Sequence, residues 1–249
     1  MLQKEFKKQG DFLFRYRGYL PLIILFAGLV VFIVSNTKDV ARGYWFTEGV
    51  YMYICLFVSL LGELVRVITV GFTPANTSGR NVLNQVADEV NTTGIYSAVR
   101  HPLYLGNFII WLGLAMLTAD FWFIVAFIFL FWVYYERIMY AEEVFLAGKF
   151  GDSYKNWAEK TPAFLPSFNK YKSARLHFSW RKILKNEKNG IAGVFVIFYV
   201  FDFTGHVINA GRFIIVTNFW FYAVMISLVF YFIMKFLKYN TTLLNEEGR

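Results

Sequence analysis

The sequence predicts an all-α protein, a polytopic membrane bundle of about six transmembrane helices built as one domain over residues 1–249. Three observations carry that prediction. The chain is 57% hydrophobic and 21% aromatic, with a mean hydropathy of +0.44, more apolar than a soluble domain of 249 residues needs. Charged residues make up only 17% and cluster between long apolar runs. Those runs approach the roughly 20 residues that a spanning helix requires.

Six spans are expected, at 19–35, 50–70, 102–118, 121–140, 191–207 and 213–237. The third and fourth meet at Thr118-Ala119-Asp120 and form a helical hairpin over 102–140. The fifth is short, holds Asp202 and Gly205, and is open to a re-entrant reading. The first run has no small-residue cleavage site after it, so it reads as a span and not as a signal peptide. Cys55 is the single cysteine, which excludes a disulfide framework or a Cys-rich metal site.

Lysine and arginine placement sets the expected orientation. Of 25 such residues, 21 fall on one side of the six spans, among them Lys4, Lys7, Lys8, Arg15, Arg17, Arg80, Arg100 and eleven from Arg137 to Lys188. Only Lys38, Arg42 and Arg212 fall opposite, and Arg66 lies within a span. Both termini are therefore expected in the cytoplasm, of a bacterial inner membrane or the endoplasmic reticulum. The net charge of +8 flanks apolar runs, which points to anionic lipid headgroups and away from nucleic acid. Sequons at Asn76, Asn91 and Asn240 fall on the cytoplasmic side and are read as chance. The polar segments 71–101 and 141–190 are expected to fold over the helix ends.

Two stretches hold the chemistry. The first runs from Thr93 to Asn107 and contains Arg100-His101-Pro102. Pro102 suits the first helical turn, and the N–H groups of a helix N-terminus favour anionic ligand atoms. Gly106 admits close approach of backbone or ligand. The second stretch begins Glu136-Arg137 and continues through Tyr140 and Glu142-Glu143 to Tyr154. Glu136, Tyr140 and Glu143 share one helix face, with Glu142 about 100° round. A hairpin centred near Ala119 sets His101 level with Arg137, with the glutamates about 8 Å further out. Arg100, His101, Arg137, Glu142 and Glu143 then converge on one cytoplasmic patch. Carboxylates beside a membrane are costly unless paired or functional; the bland alternative for each charge alone is a topological or snorkelling role.

These motifs resemble the isoprenylcysteine carboxyl methyltransferase and phospholipid methyltransferase superfamily. The likeness rests on Arg100-His101-Pro102-Leu103-Tyr104-Leu105-Gly106, on Glu142-Glu143-Val144-Phe145-Leu146, on Phe150-Gly151-Asp152-Ser153-Tyr154, and on Pro162 and Pro166. It covers about residues 50–168, a methyltransferase-like core, and leaves a C-terminal transmembrane pair at about 191–238 outside. The resemblance implies S-adenosylmethionine as cofactor, held at the cytoplasmic face by Arg100, His101, Pro102, Tyr104, Gly106, Glu142, Glu143 and Tyr154. It implies a lipid or lipidated acceptor, and a site at the ends of apolar helices predicts that this amphiphile enters laterally, with Arg66, Arg137 and Glu143 as candidate catalytic residues. Members often carry a basic residue where this chain has Ala163-Phe164-Leu165, which leaves the acceptor open.

Glu63 and Arg66 stand at i, i+3. They can pair with each other, or Arg66 can meet an anionic headgroup. Asp202 and His206 have metal-compatible spacing but no third ligand, so no metal is expected. Two other classes compete: an NADPH-dependent membrane reductase of the sterol-reductase type, and a non-catalytic membrane protein. The adjacent glutamates favour methyl transfer over the first. The one-sided polar cluster, without inverted repeats, disfavours a transporter.

Overall fold

The computed structural model describes residues 1–38, 49–74 and 87–248. Arg42, Arg80 and the Asn76 sequon lie outside the described residues. The described chain is helical: α1 Leu2–Arg15, α2 Leu20–Lys38, α3 Tyr51–Gly71, α4 Pro102–Met116, α5 Phe121–Phe150, α6 Asp152–Ala158, α7 Trp180–Ala210 and α8 Phe219–Asn240. A 3-10 turn at Ile95–Ser97 precedes α4, and one isolated bridge joins Gly94 to Lys172. Five of these helices are long and apolar enough to cross a membrane, and α4 is a shorter apolar helix. The protein is an integral membrane helical bundle.

Local chemistry sets the boundaries. Asp120 caps α5 by accepting from the Phe123 N–H at 2.8 Å, Ser179 caps α7 through the Lys182 N–H at 3.1 Å, and Asn218 caps α8 through the Phe221 N–H at 3.2 Å. Each side-chain oxygen satisfies a backbone donor that the helix itself leaves unpaired. Gly151 and Gly211 end α5 and α7 with positive φ, 56° and 62°, a conformation glycine adopts without a Cβ penalty.

Three expectations change. The third span is 15 residues long, from Pro102 to Met116, because Leu117 to Asp120 are spent on a turn in which Ala119 takes a φ of 49°. The fifth span is neither short nor re-entrant. It is the far half of a continuous 31-residue helix, whose near half, 180–190, had read as a cytoplasmic loop. Its charges mislead a hydropathy reading because they are satisfied inside the protein: Lys182 is 7% exposed and its Nζ donates to the carbonyls of Thr73 and Pro74 at 2.6 and 2.9 Å. Finally, the basic N-terminal arm forms α1. It lies along α5, where the Phe6 and Tyr140 rings meet edge to face at 6.1 Å and the Tyr134 hydroxyl donates to the Leu13 carbonyl.

At the centre, α3 packs against both α4 and α7. Phe32, Met52, Leu114, Phe198, Phe201 and Trp220 fill one apolar core, while a second forms between α4 and α5 around Phe127, Phe131 and Ile138. Phe, Tyr and Trp exposed elsewhere on the helices are consistent with lipid contact. The α3–α4 seam depends on small residues. A Cβ added at Gly62 would stand 2.5 Å from the Ile110 nitrogen and 2.6 Å from the Gly106 oxygen. Both are backbone atoms, so they cannot swing aside.

Gly62→Ala should therefore cost about 1–3 kcal/mol by overpacking, seen as a lower unfolding midpoint in detergent. Gly193→Ala, on α7 with nothing within 4 Å of the new Cβ, should be neutral or stabilising as a helix-interior glycine replacement. Equal midpoints for the two variants would refute the close α3–α4 approach.

Candidate functional site

The site forms where the start of α4 meets the C-terminal overhang of α5. The segment before α4 is held by backbone pairing. Gly94, with φ 61°, donates its N–H to the Lys172 carbonyl at 2.8 Å. The N–H groups of Arg100 and His101 donate to the carbonyls of Pro162 and Ala163 at 2.9 and 3.1 Å. The Pro162–Pro166 element thus clamps the motif. Those bonds take up two of the N–H groups expected to be open to an anion at the helix start. Pro102 at the first helical position has no N–H, and the Tyr104 and Leu105 N–H groups bond back to the His101 carbonyl, so few backbone donors remain there for an anion.

The side chains converge instead. His101 is 6% exposed. Its Nε2 lies 2.9 Å from Glu143 Oε1 and its Nδ1 lies 3.6 Å from Glu142 Oε2. Arg100 Nη1 approaches Glu143 Oε2 at 3.3 Å. Consecutive residues on a helix diverge by about 100°, so Glu142 and Glu143 straddle the ring and meet both nitrogens. Burial alone would lower the imidazole pKa. The hydrogen bonds and charges of Glu142 and Glu143 outweigh it and hold the group above its ordinary 6.5. Tyr104 stacks on the imidazole at 5.7 Å.

Tyr154, on α6, is 3% exposed. Burial raises its hydroxyl pKa, the negative charge of Glu143 adds to that, and Arg100 opposes it. Tyr96 behaves alike: burial raises it, the charge of Glu142 does the same, and Arg66 opposes. Three buried donors here have no hydrogen-bond partner among the described residues: Arg100 Nε, the Tyr154 hydroxyl and Trp157 Nε1. The Tyr154 and Trp157 rings are 5.5 Å apart. Buried polar groups are nearly always satisfied, so these mark where a polar ligand group fits. Glu142 and Glu143, 29% and 26% exposed, offer acceptors to a cationic one. That combination fits S-adenosylmethionine, whose amino-acid end carries both charges beside its sulfonium.

Other residues singled out from the sequence lie elsewhere. Arg137 is turned to α1: Nη1 bonds Glu136 at 2.7 Å, Nε bonds Gln9 at 3.3 Å, and the guanidinium covers the Phe6 ring at 3.7 Å. It is five and six residues from the glutamates, hence about 120–140° round the helix, and it does not join their cluster. Gly106 serves packing: a Cβ there would stand 2.6 Å from Arg66 Cγ. Arg66 bonds Glu187 and Asn107. The Glu63 carboxylate lies against Gly190. Asp202 accepts from Asn218 at 3.0 Å, and no group of three metal-ligating side chains occurs among the described residues.

Four residues of this region carried no role in the sequence reading: Tyr96, Asn107, Trp157 and Glu187. Trp157 follows Tyr154 by three, a same-face helical spacing that was available. Glu187 had no local signal, because its partner is 121 residues away.

Residues 75–153 match the phospholipid methyltransferase family. A protein-S-isoprenylcysteine O-methyltransferase of Schizosaccharomyces pombe is 40% identical over 127 residues, 49% of this chain and 52% of that protein. A probable protein-S-isoprenylcysteine O-methyltransferase of Oryza sativa is 30% identical over 132 residues, 50% of this chain and 64% of that one. A nickel-cobalt-cadmium resistance protein of Alcaligenes xylosoxydans is 32% identical over 120 residues, 47% and 53% respectively. The matches thus span about half of this chain and 52 to 64% of these relatives' own length. No solved structure matches.

The paired state of His101 has a pH signature. A histidine whose pKa folding raises contributes its stability fully below the ordinary value of 6.5 and loses it as pH climbs through the raised folded value. The unfolding midpoint of the wild type relative to His101→Gln should therefore fall as pH is taken from about 6 to about 9. A difference that stays flat across that range means the ring is neutral and the clamp is not ionic.

Proposed function

Starting from the likeness of its core to the isoprenylcysteine carboxyl methyltransferase and phospholipid methyltransferase superfamily, we propose that the protein transfers a methyl group from S-adenosylmethionine to the carboxylate of a lipid or lipidated acceptor at the cytoplasmic membrane face. The observation that carries this reading is the Arg100–His101–Glu142–Glu143 cluster at the ends of apolar helices, beside buried donors with no partner in the described protein. Its orientation is supported by the charge asymmetry, which favours a cytoplasmic place for both termini and for the segment from 141 to the start of α7.

The cofactor supplies a methyl carbon made electrophilic by its sulfonium. The protein's part is to bind, orient and dry the site. Glu142 and Glu143 are placed to hold an ammonium or ribose hydroxyls, and Arg100, Tyr154 and Trp157 to hold a carboxylate. Fixing two reactants in line contributes up to about 7–11 kcal/mol. A carboxylate acceptor meeting a sulfonium loses charge as the bond forms, so an apolar surround favours the transition state. The acceptor class follows from the bases present. Burial opposes protonation of His101, but the hydrogen bonds and charges of Glu142 and Glu143 favour the protonated form, which is no base, and Glu143 already meets both His101 and Arg100. An amine must shed a proton before it attacks; a carboxylate oxygen is nucleophilic as it stands.

Glu142→Gln and Glu143→Gln should each remove a charged acceptor, worth roughly 1.5–3 kcal/mol, and at least one should weaken S-adenosylmethionine binding about tenfold in calorimetry. NADPH titrated in parallel should give no heat. Unchanged S-adenosylmethionine affinity in both variants, or saturable NADPH binding, would defeat the assignment.

A further inference from the structure

Helix α7 reaches into the core with a buried carboxylate. Glu187 takes the guanidinium of Arg66 with both oxygens, Nε donating at 2.9 Å and Nη2 at 3.0 Å, while Nη1 donates to Asn107 Oδ1 at 2.6 Å. A guanidinium carries five N–H donors in one plane, so these contacts fix the plane and leave donors over. Glu187 is 1% exposed and Arg66 15%. The cation is therefore the accessible half of the pair. Its stem crosses Gly106 of the Arg-His-Pro motif. Its charge is felt at Tyr96. The Tyr135 ring is 5.1 Å from Tyr104, which stacks on His101. Arg66 thus stands beside α4 about one and a half turns deeper in the membrane than His101, the direction from which a lipid tail enters.

The same helix is fastened to α3 again at the membrane border. The Ser179 N–H donates to the Gly71 carbonyl at 2.9 Å, and Lys182 takes the Thr73 and Pro74 carbonyls. Two fastenings, one at each end of the 182–187 stretch, hold α7 in register with α3.

We propose that Glu187 is a positioning residue for acceptor recognition. It orients Arg66 so that the outward N–H groups of the guanidinium meet the acceptor carboxylate by directed hydrogen bonds, from a pair that carries no net charge. This rests on the carboxylate-acceptor reading above. Recognition then depends on the planar fork, which an ammonium does not reproduce. It also gives the C-terminal helices, which lie outside the matched segment, a direct part in choosing the substrate.

The experiment is equilibrium binding of an S-isoprenylated cysteine amphiphile, without methyl donor, to purified protein in lipid–detergent micelles, with S-adenosylmethionine affinity measured alongside. Glu187→Gln should weaken amphiphile binding about tenfold, the loss of a charge-assisted hydrogen bond, and leave S-adenosylmethionine affinity within about twofold, because the cofactor residues are untouched. Glu187→Asp should recover part of the loss. Arg66→Lys should not. Replacing both members by Met removes both charges and spares the fold; that protein should keep its unfolding midpoint and cofactor affinity yet bind the amphiphile as weakly as Glu187→Gln. Wild-type amphiphile affinity in Glu187→Gln or in the double variant would overturn the proposal and leave the pair purely structural. No amphiphile binding by the wild type would overturn the functional reading, and this inference with it.

Discussion

An imidazole buried between two carboxylates is the constraint on which the rest of this protein is arranged. His101 opens α4, and Glu142 and Glu143 lie more than five turns along α5. For them to meet, α5 must run on as helix well past the end of its partner. A 30-residue α5 against a 15-residue α4 does this. The overhang then needs lateral support outside the bilayer, which α1 gives from one side. The Pro162–Pro166 element closes the other by pairing its backbone with Arg100 and His101. A single lost carboxylate would leave a charge with its desolvation cost and fewer partners, so the cluster stabilises the local fold only as a set.

The second organising feature is a polar seam inside an apolar bundle. Arg66, Asn107 and Glu187 belong to α3, α4 and α7 and meet only in three dimensions. In hydrocarbon each alone is expensive, and together they leave no net charge. Glycines make the meeting possible. Gly62 lets the α3 and α4 backbones touch, and Gly106 lets the Arg66 stem cross α4. The glycine of the motif is thus explained by its neighbour on α3 more directly than by a ligand.

What the sequence made legible follows from the range of each interaction. Apolar runs and caps are local, so five of the six spans and the hairpin could be read directly. The motif with Arg100, His101, Glu142 and Glu143 could be brought together because a tight hairpin fixes the register of its arms. Arg137 was drawn into the same patch on axial level alone; its angle about the helix axis, set by α1, sends it away. Helix α1 itself was missed because its apolar residues are sparse and its charges dominate. The near half of α7 was missed because Lys182, Glu187 and Lys188 look like solvated loop charges until Thr73, Pro74 and Arg66 are seen beside them.

The shortness of α4 has a consequence for where the proposed methyl transfer would take place. Fifteen residues of helix reach about 22 Å, less than the roughly 30 Å of a bilayer's hydrocarbon. A mismatch of that sign draws the surrounding leaflet inward or leaves the helix end sunk below the headgroups. Either way His101, at that end, sits close to the lipid boundary. Under the proposed function, a membrane-anchored acceptor would reach it without lifting its tail out of the lipid. Bilayer thickness would then bear on the proposed reaction through the length of one helix.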